Sequence, residues 1–178
     1  EIERLGGRIY HLPKFRGYNL LSYRKAWTRF FAEHPGYRCV QGHMTSTASL
    51  YLPCARRAGV AMIAAHARSA GVDRGPKGWL TRLLRLPLAK RADYCLATSA
   101  LAGEAVFGKR AVRKKRVRVL PNAIMAEKYD FDPAARERIR SSLGLTQNLV
   151  LGHVGRFHPL KNHAFLLEIF CMAQNSML

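Results

Sequence analysis

Short apolar runs alternate with longer segments of helical periodicity along most of this chain, and this alternation limits the folds that it can adopt. The runs at 39–43, 60–65 and 94–98 have the length of buried strands, and the segments between them carry apolar residues at helical spacing. Strands that alternate with helices pair in parallel, because each helix carries the chain back to the end of the sheet where the last strand began. The sequence therefore predicts an α/β fold built on a parallel, doubly wound sheet.

Local start and stop signals place the remaining elements. Ser99 and Asp132 are helix-capping residues, Pro133 suits a first helical turn, and Gly108 is a helix stop. Pro87 lacks a backbone N–H and is expected to interrupt a basic helical segment. The predicted helices are 19–34, 45–57, 79–91, 99–108, 132–143 and 161–170, and the further predicted strands are 8–12, 116–120 and 148–154.

The chain carries a large excess of positive charge. Lys and Arg total 30 against 11 Asp and Glu, for a net charge of +19. This charge suits phosphorylated substrates, an anionic membrane surface or nucleic acid. Residues 74–91 combine cations with an apolar face, which is typical either of a helix on a membrane surface or of a helix packed on the sheet with its basic side in water.

A second basic run, at 109–118, is predicted to be a solvated turn and strand edge, because valines alternate with its last cations. Nucleic-acid binding is not expected. The sequence has no aromatic–basic interleaving of the kind that single-strand binders use, and no zinc or helix-turn-helix motif.

Targeting and redox signals are sparse. The chain has no apolar run of the roughly 20 residues that a transmembrane helix needs, and no signal-peptide pattern. Its cysteines are isolated from one another and are predicted to be free thiols, which is typical of a reducing cytoplasm. They are Cys39, Cys54, Cys95 and Cys171. We therefore expect a cytoplasmic protein, with a peripheral location at the inner face of the membrane if the basic helix binds lipid.

Two histidines follow predicted strands. His43 and His66 come at the ends of neighbouring apolar runs. Ligands of doubly wound sheets bind beyond the carboxyl ends of the strands, so these side chains are candidates for an active site. The alternative for each is a hydrogen-bonded histidine at the edge of the core.

A third candidate is a phosphate site after the last apolar run. Gly155 would let a ligand approach the backbone, and Arg156 and Lys161 would add charge that suits phosphate. Lys161 and Asn162 are predicted to open a helix, whose first N–H groups and dipole favour anions. The alternative is a pair of solvated cations.

The same stretch carries a specific pattern, Val154-Gly-Arg-Phe-x-x-x-Lys-Asn-His163 followed by Phe165-Leu-Leu-x-x-Phe170. It resembles the opening of the C-terminal domain in retaining GT-B glycosyltransferases of family 4, in the branch that builds bacterial exopolysaccharides and capsules. Further motifs of that branch resemble segments in the same order along the chain. They are 64–68, 92–99, 119–124 and 131–144, and the resemblance spans about 38–170.

The resemblance implies a Rossmann-like N-terminal domain, truncated at its start, followed by the first strand and helix of a second Rossmann-like domain. It implies an acceptor-side domain at 1–122, a connector at 123–147 and the beginning of a nucleotide-sugar-binding domain at 148–178. The family's glycine-rich acceptor loop and its donor-side E-x7-E motif have no match in this sequence. We therefore expect the chain alone to be inactive in transfer.

The implied function is transfer of a sugar from a nucleotide-diphosphate sugar to a saccharide or lipid-linked acceptor in polysaccharide biosynthesis. Arg156 and Lys161 would bind the donor diphosphate and stabilise the negative charge of the leaving nucleotide, with Gly155 and Asn162 in the same site. The family requires no metal ion and no cofactor besides this donor substrate, and no metal site is expected here.

On the acceptor side, the resemblance implies that His66 acts in catalysis close to the transferred sugar, with His43 and Arg68 beside it. Asn122 would lie at the hinge on which the two domains close, although an Asn after Pro also suits an ordinary turn. The alternative function is a basic, non-enzymatic module that binds an anionic membrane or nucleic acid. That alternative accounts for the charge but not for the ordered motifs.

Overall fold

The structure is a computed structural model that describes residues 1–71, 75–145 and 147–176. The chain divides into two compact units. The N-terminal unit is Glu1–Ile124 and the C-terminal unit is Met125–Leu178.

The N-terminal unit contains a four-stranded sheet in which all neighbouring strands are parallel and lie in the order β1-β2-β3-β4. The strands are β1 Cys39–Gly42, β2 Met62–Ala67, β3 Tyr94–Ala97 and β4 Val117–Val119. Three successive residues of β2, from Ile63 to Ala65, are buried, so both faces of this strand are covered. The prediction of an α/β fold on a parallel sheet is confirmed.

Helices connect the strands of the N-terminal unit and pack against its sheet. They are α1 Leu20–Glu33, α2 Thr45–Arg57, α3 Pro76–Arg85, α4 Leu88–Arg91, α5 Ala100–Phe107 and α6 Lys109–Arg113. Pro87 separates α3 from α4, as its missing N–H predicted. Ser99 caps α5, because its side chain accepts a hydrogen bond from the N–H of Ala102 at 3.1 Å.

The core of this unit lies between the sheet and its helices. Trp27 of α1 stacks on Tyr51 of α2, with ring centroids 4.4 Å apart and an interplanar angle of 19°. Leu52 and Ile63 are fully buried in the same core. Burial raises the pKa of the Tyr51 hydroxyl, because the charged form would lose its hydration.

The C-terminal unit contains two α-helices, α7 Pro133–Ser142 and α8 His163–Ser176, among the residues that the structure describes. Short 3₁₀ turns precede each of them, at Ala126–Tyr129 and Pro159–Lys161. Asp132 caps α7, since its side chain accepts from the N–H of Ala135 at 2.9 Å.

Two predicted strands are absent. Residues 8–12 form no strand, because Tyr10 instead packs on α1, with its ring 5.2 Å from that of Phe30 and 4.5 Å from that of His34. Residues 148–154 also form none, and Val154 is 98% exposed. A strand needs a neighbour for its backbone hydrogen bonds, and the sheet of the described residues does not include either segment.

Two further predictions needed correction. Residues 109–113 form helix α6 rather than a turn, because Gly108 at φ 86° ends α5 and lets the chain start a new helix at once. His66 lies inside β2 rather than beyond its end. The parallel register with β3 continues through the pair Ala67 and Ala97, and this pairing extends the strand past the histidine.

Asp93 joins α2, β2 and β3 at the amino end of the sheet. Its carboxylate accepts hydrogen bonds from Arg56 Nη2 at 2.6 Å and from the backbone N–H of Ile63 at 2.8 Å. Its own N–H donates to the carbonyl of Ile63 at 2.8 Å. Hydrogen bonding by Arg56, followed by the bond from Ile63, lowers the pKa of Asp93.

Replacing Asp93 by Asn is expected to lower the free energy of unfolding at neutral pH by about 1 kcal/mol, because the ion pair is partly exposed and is screened. The lowered pKa of Asp93 in the folded state means that its contribution is complete above the unfolded value of about 4 and is lost as pH falls through the folded value. Urea unfolding of the wild type and of the Asp93 variant at several pH values measures the difference in stability. Asp130→Asn, at an exposed carboxylate, is the control. A stability difference that persists in acid would contradict the assignment.

Candidate functional site

His43 and His66 meet at the carboxyl ends of β1 and β2. Their ring centroids are 5.1 Å apart. Parallel pairing of β1 with β2 produces this proximity, because it places Gly42 beside Ala65, one residue before each histidine. Two of the residues predicted for the acceptor side therefore lie together.

Gln41 is a third member of this cluster, and the sequence analysis did not single it out. Its side-chain amide nitrogen lies 3.1 Å from His66 Nδ1. When this amide donates to Nδ1, the imidazole carries its proton on Nε2. His66 Nε2 is buried and has no hydrogen-bond partner among the described residues. The arrangement leaves one imidazole donor near the strand ends without a partner among the described residues.

The surroundings of His66 favour its neutral form. Burial lowers the pKa of His66, and electrostatic interaction with His43 and with Arg68 lowers it further. A neutral imidazole at physiological pH can donate one hydrogen bond without adding charge to the site.

Arg68 and Asn122 lie at the same end of the sheet. Arg68 is exposed one residue past β2, and its effect on the pKa of His66 indicates that its charge is close. Asn122 is exposed in the segment that follows β4, near the end of the N-terminal unit. His43, Arg68 and Asn122 thus follow the carboxyl ends of three parallel strands, and His66 lies among the last paired residues of β2.

The predicted phosphate site lies in the C-terminal unit, in the loop before α8. A Cβ added to Gly155 would lie 2.9 Å from His153 Nε2 and 3.5 Å from Lys161 Cδ. The glycine therefore lets the lysine side chain lie close to the backbone of the loop. The structure brings Gly155 and Lys161 together, and the side chains of Arg156 and Lys161 are exposed.

The predicted start of the last helix is displaced. Lys161 ends a 3₁₀ turn, and its N–H donates to the carbonyl of His158 at 2.8 Å. The N–H of Asn162 donates to the carbonyl of Pro159 at 3.1 Å, so neither backbone donor is free for an anion. Asn162 adopts φ 47°, and α8 begins at His163. Any binding of phosphate by Lys161 and Asn162 has to use their side chains.

His163 packs against two rings of this loop. Its ring centroid lies 5.0 Å from that of His153 and 5.0 Å from that of Phe157. The sequence analysis did not assign this ring cluster, although the motif at 154–163 includes Phe157 and His163. The cluster holds the loop against the first turn of α8, where the exposed cations emerge.

Residues 1–123 match the family described as glycosyl transferase 4-like domain, and this stretch includes both histidines of the cluster. The chain belongs to this glycosyl transferase family. The cluster of Gln41, His43 and His66 is therefore a feature of a glycosyl transferase 4-like domain.

A curated protein is similar to this glycosyl transferase 4-like chain along most of its length. It is the Bacillus subtilis (strain 168) protein named "Putative glycosyltransferase EpsF", which is 31% identical over 175 residues. The match covers 95% of this chain and 45% of EpsF, so the chain spans less than half the length of that relative. No solved structure matches the chain. Within the described residues, each helix is too short or too polar to cross a membrane.

Proposed function

We propose that this chain belongs to a glycosyltransferase that moves a sugar from a nucleoside-diphosphate sugar to a saccharide or lipid-linked acceptor in polysaccharide biosynthesis. The observation that carries the proposal is the histidine cluster at the strand ends, in a chain of the glycosyl transferase 4-like family. The name of the Bacillus subtilis relative supports the same class of reaction.

In the proposed reaction, the bond between the anomeric carbon of the donor sugar and the diphosphate oxygen breaks. The leaving nucleoside diphosphate keeps the electron pair. An acceptor hydroxyl oxygen forms the new bond to that carbon and releases its proton. Negative charge therefore grows on the leaving oxygen, and groups that bind this charge lower the barrier.

His66 is proposed to act on the sugar side of this reaction. Its neutral imidazole would donate from Nε2 to a hydroxyl oxygen of the transferred sugar, while the contact from Gln41 fixes the ring orientation. His43 and Arg68 would border the acceptor. This role suits a buried donor without a protein partner, because a bound hydroxyl would supply the missing hydrogen bond.

Arg156 and Lys161 are proposed to hold the donor diphosphate. Both side chains are exposed, and Lys161 lies along Gly155 where a larger residue would crowd it. Their two charges could neutralise the leaving group without a metal ion. Gly155 and Asn162 would shape the loop, and Asn122 would lie at the hinge between donor and acceptor sides.

Replacing His66 by Ala in the full protein is expected to lower the transfer rate about tenfold to 100-fold, the effect of losing one buried hydrogen bond in the reacting complex. Release of nucleoside diphosphate from a panel of nucleotide sugars measures the rate. His11→Ala, at an exposed histidine of the same unit, should retain the wild-type rate. Since burial lowers the pKa of His66, the wild-type rate should fall only when pH drops below the ordinary histidine range. An unchanged rate in the His66 variant would exclude the role.

Contact with an anionic membrane surface is proposed for α3, and the protein would then act at the cytoplasmic face. Trp79 is 66% exposed, and Leu83 and Leu86 are exposed near Arg82. Apolar side chains next to cations suit the interface of an anionic bilayer.

Replacing Trp79 by Ala is expected to reduce flotation of the protein with vesicles that contain phosphatidylglycerol, because an exposed aromatic ring anchors a helix at the bilayer interface. Tyr18→Ala, at an aromatic residue that is 80% exposed, is the matched control and should float as the wild type does. Equal flotation of all three proteins would refute the membrane role of α3.

A further inference from the structure

A pocket of about 490 Å³ lies between α3 and α5 in the N-terminal unit. This volume is in the range of small-molecule sites. One wall is Ala70, in the segment that leaves β2, and the others come from the two helices and Gly108. The charged groups in its lining are Arg82, Arg85 and Glu104.

Arg85 lines this pocket, and two of its donors are unsatisfied. Its Nε and Nη1 atoms are shielded from solvent, and neither has a hydrogen-bond partner in the part of the chain that the structure describes. An arginine stays charged in proteins, and a buried, unpaired charge is costly. Burial lowers the pKa of Arg85, which reflects the same cost. An anion bound in the pocket beside the Arg85 guanidinium would offset this cost.

The chemistry of the lining narrows the class of ligand. A guanidinium offers a planar fork that matches two oxygens of a phosphate, and Arg82 adds a second positive charge. Glu104 forms no ion pair within 4.0 Å among the described residues, although it lines the same pocket. A carboxylate repels phosphate but accepts hydrogen bonds from hydroxyl groups. Leu86, Val106 and Phe107 add apolar walls.

We propose that the pocket between α3 and α5 is a second ligand site, in which Arg85 and Arg82 bind a phosphate group and Glu104 accepts from hydroxyls of the same ligand. A sugar phosphate has both groups, and so does the headgroup of a glycosylated lipid phosphate. The site is distinct from the proposed donor and acceptor positions, because it uses none of the residues at His66 or Lys161. Binding can therefore be measured without any transfer activity.

The test is calorimetric titration of the whole chain with a hexose 1-phosphate and with inorganic phosphate. Replacing Arg85 by Met is expected to weaken binding of both probes by about tenfold or more, which corresponds to loss of a charged hydrogen-bond partner. Arg113→Met removes the same charge from α6, outside this pocket, and should leave both affinities unchanged. Equal binding by the Arg85 variant, or an equal loss in the Arg113 variant, would overturn the proposal.

Two further variants keep the test independent of folding. Arg85→Lys retains the charge without the planar fork and should also weaken both probes. Glu104→Gln should weaken binding of the hexose 1-phosphate relative to that of inorganic phosphate, since only the hexose has sugar hydroxyls to donate, whereas loss of the repelling charge acts on both probes. The Arg85→Met variant should be at least as stable to heat as the wild type in phosphate-free buffer, because it removes an unpaired charge. A Glu104 variant that affects both probes equally would overturn the hydroxyl contact.

A parallel experiment distinguishes a soluble sugar phosphate from a lipid headgroup as the ligand. It uses vesicles of phosphatidylcholine that contain phosphatidylinositol phosphate. Arg85-dependent binding of the soluble hexose phosphate assigns the site to a soluble ester. Arg85-dependent binding of the vesicles alone assigns it to a lipid headgroup. Absence of Arg85-dependent binding in both experiments would refute the site.

Discussion

Replacing Leu52 by Ala is expected to lower the free energy of unfolding of the N-terminal unit by about 2 to 5 kcal/mol. Leu52 is 1% exposed on α2, and a Cβ added to Gly42 would lie 3.5 Å from its Cδ1. The leucine thus fills the space between α2 and the end of β1. Truncation would leave a cavity there, at a cost comparable with a large part of the roughly 5 to 15 kcal/mol that stabilises a typical domain.

Leu21→Ala is the matched control for this experiment. Leu21 is 83% exposed on α1 of the same unit, and its truncation should change stability by less than about 0.5 kcal/mol. Urea unfolding followed by circular dichroism measures both variants. Equal stabilities would show that α2 does not pack on the sheet as described. Since β1 carries the residues next to His43, the Leu52 variant should also loosen the histidine cluster.

Replacing Lys161 by Ala in the full protein is expected to lower the transfer rate by about 100- to 1000-fold, the typical effect of removing one group that binds developing charge. The ammonium group would lie where the leaving diphosphate gains its charge, with Gly155 leaving room for the side chain. The measurements are release of nucleoside diphosphate under saturating donor and calorimetric affinity for the free nucleoside diphosphate. Both quantities should fall.

Lys128→Ala tests whether the loss is specific. Lys128 is exposed in the first 3₁₀ turn of the same unit, so its removal changes the net charge equally. This variant should keep the wild-type rate and affinity. A Lys161 variant with unchanged affinity would remove the phosphate role, and equal losses in both variants would indicate only long-range attraction between a basic protein and an anionic substrate.

Local signals predicted much of the secondary structure. The predicted bounds of α2 agree with the observed helix, and Ser99 and Asp132 cap α5 and α7 as expected. These signals work because capping bonds and apolar spacing act between residues only a few positions apart. The interruption at Pro87 was predictable for the same reason, since the missing N–H is a property of that residue alone.

Strand predictions were less accurate for a physical reason. Residues 8–12 and 148–154 have the composition of strands, but a strand forms only where another strand supplies its hydrogen bonds. The aromatic ring of Tyr10 instead packs against Phe30 of α1. The segment 109–113 became a helix because Gly108 permits an abrupt restart.

The sequence by itself determined the parallel α/β class, most helix bounds and the position of His43 after β1, because periodicity, caps and motif order are local or sequential properties. Only the tertiary structure decided which distant groups meet. The contact of Gln41 with His66 joins residues 25 positions apart, and that of Arg56 with Asp93 joins residues 37 apart. The register of β1 and β2 sets the first contact, and the packing of α2 beside the sheet sets the second. Packing of α3 beside α5 likewise left the Arg85 donors unpaired at a pocket, which no pattern in the sequence could reveal.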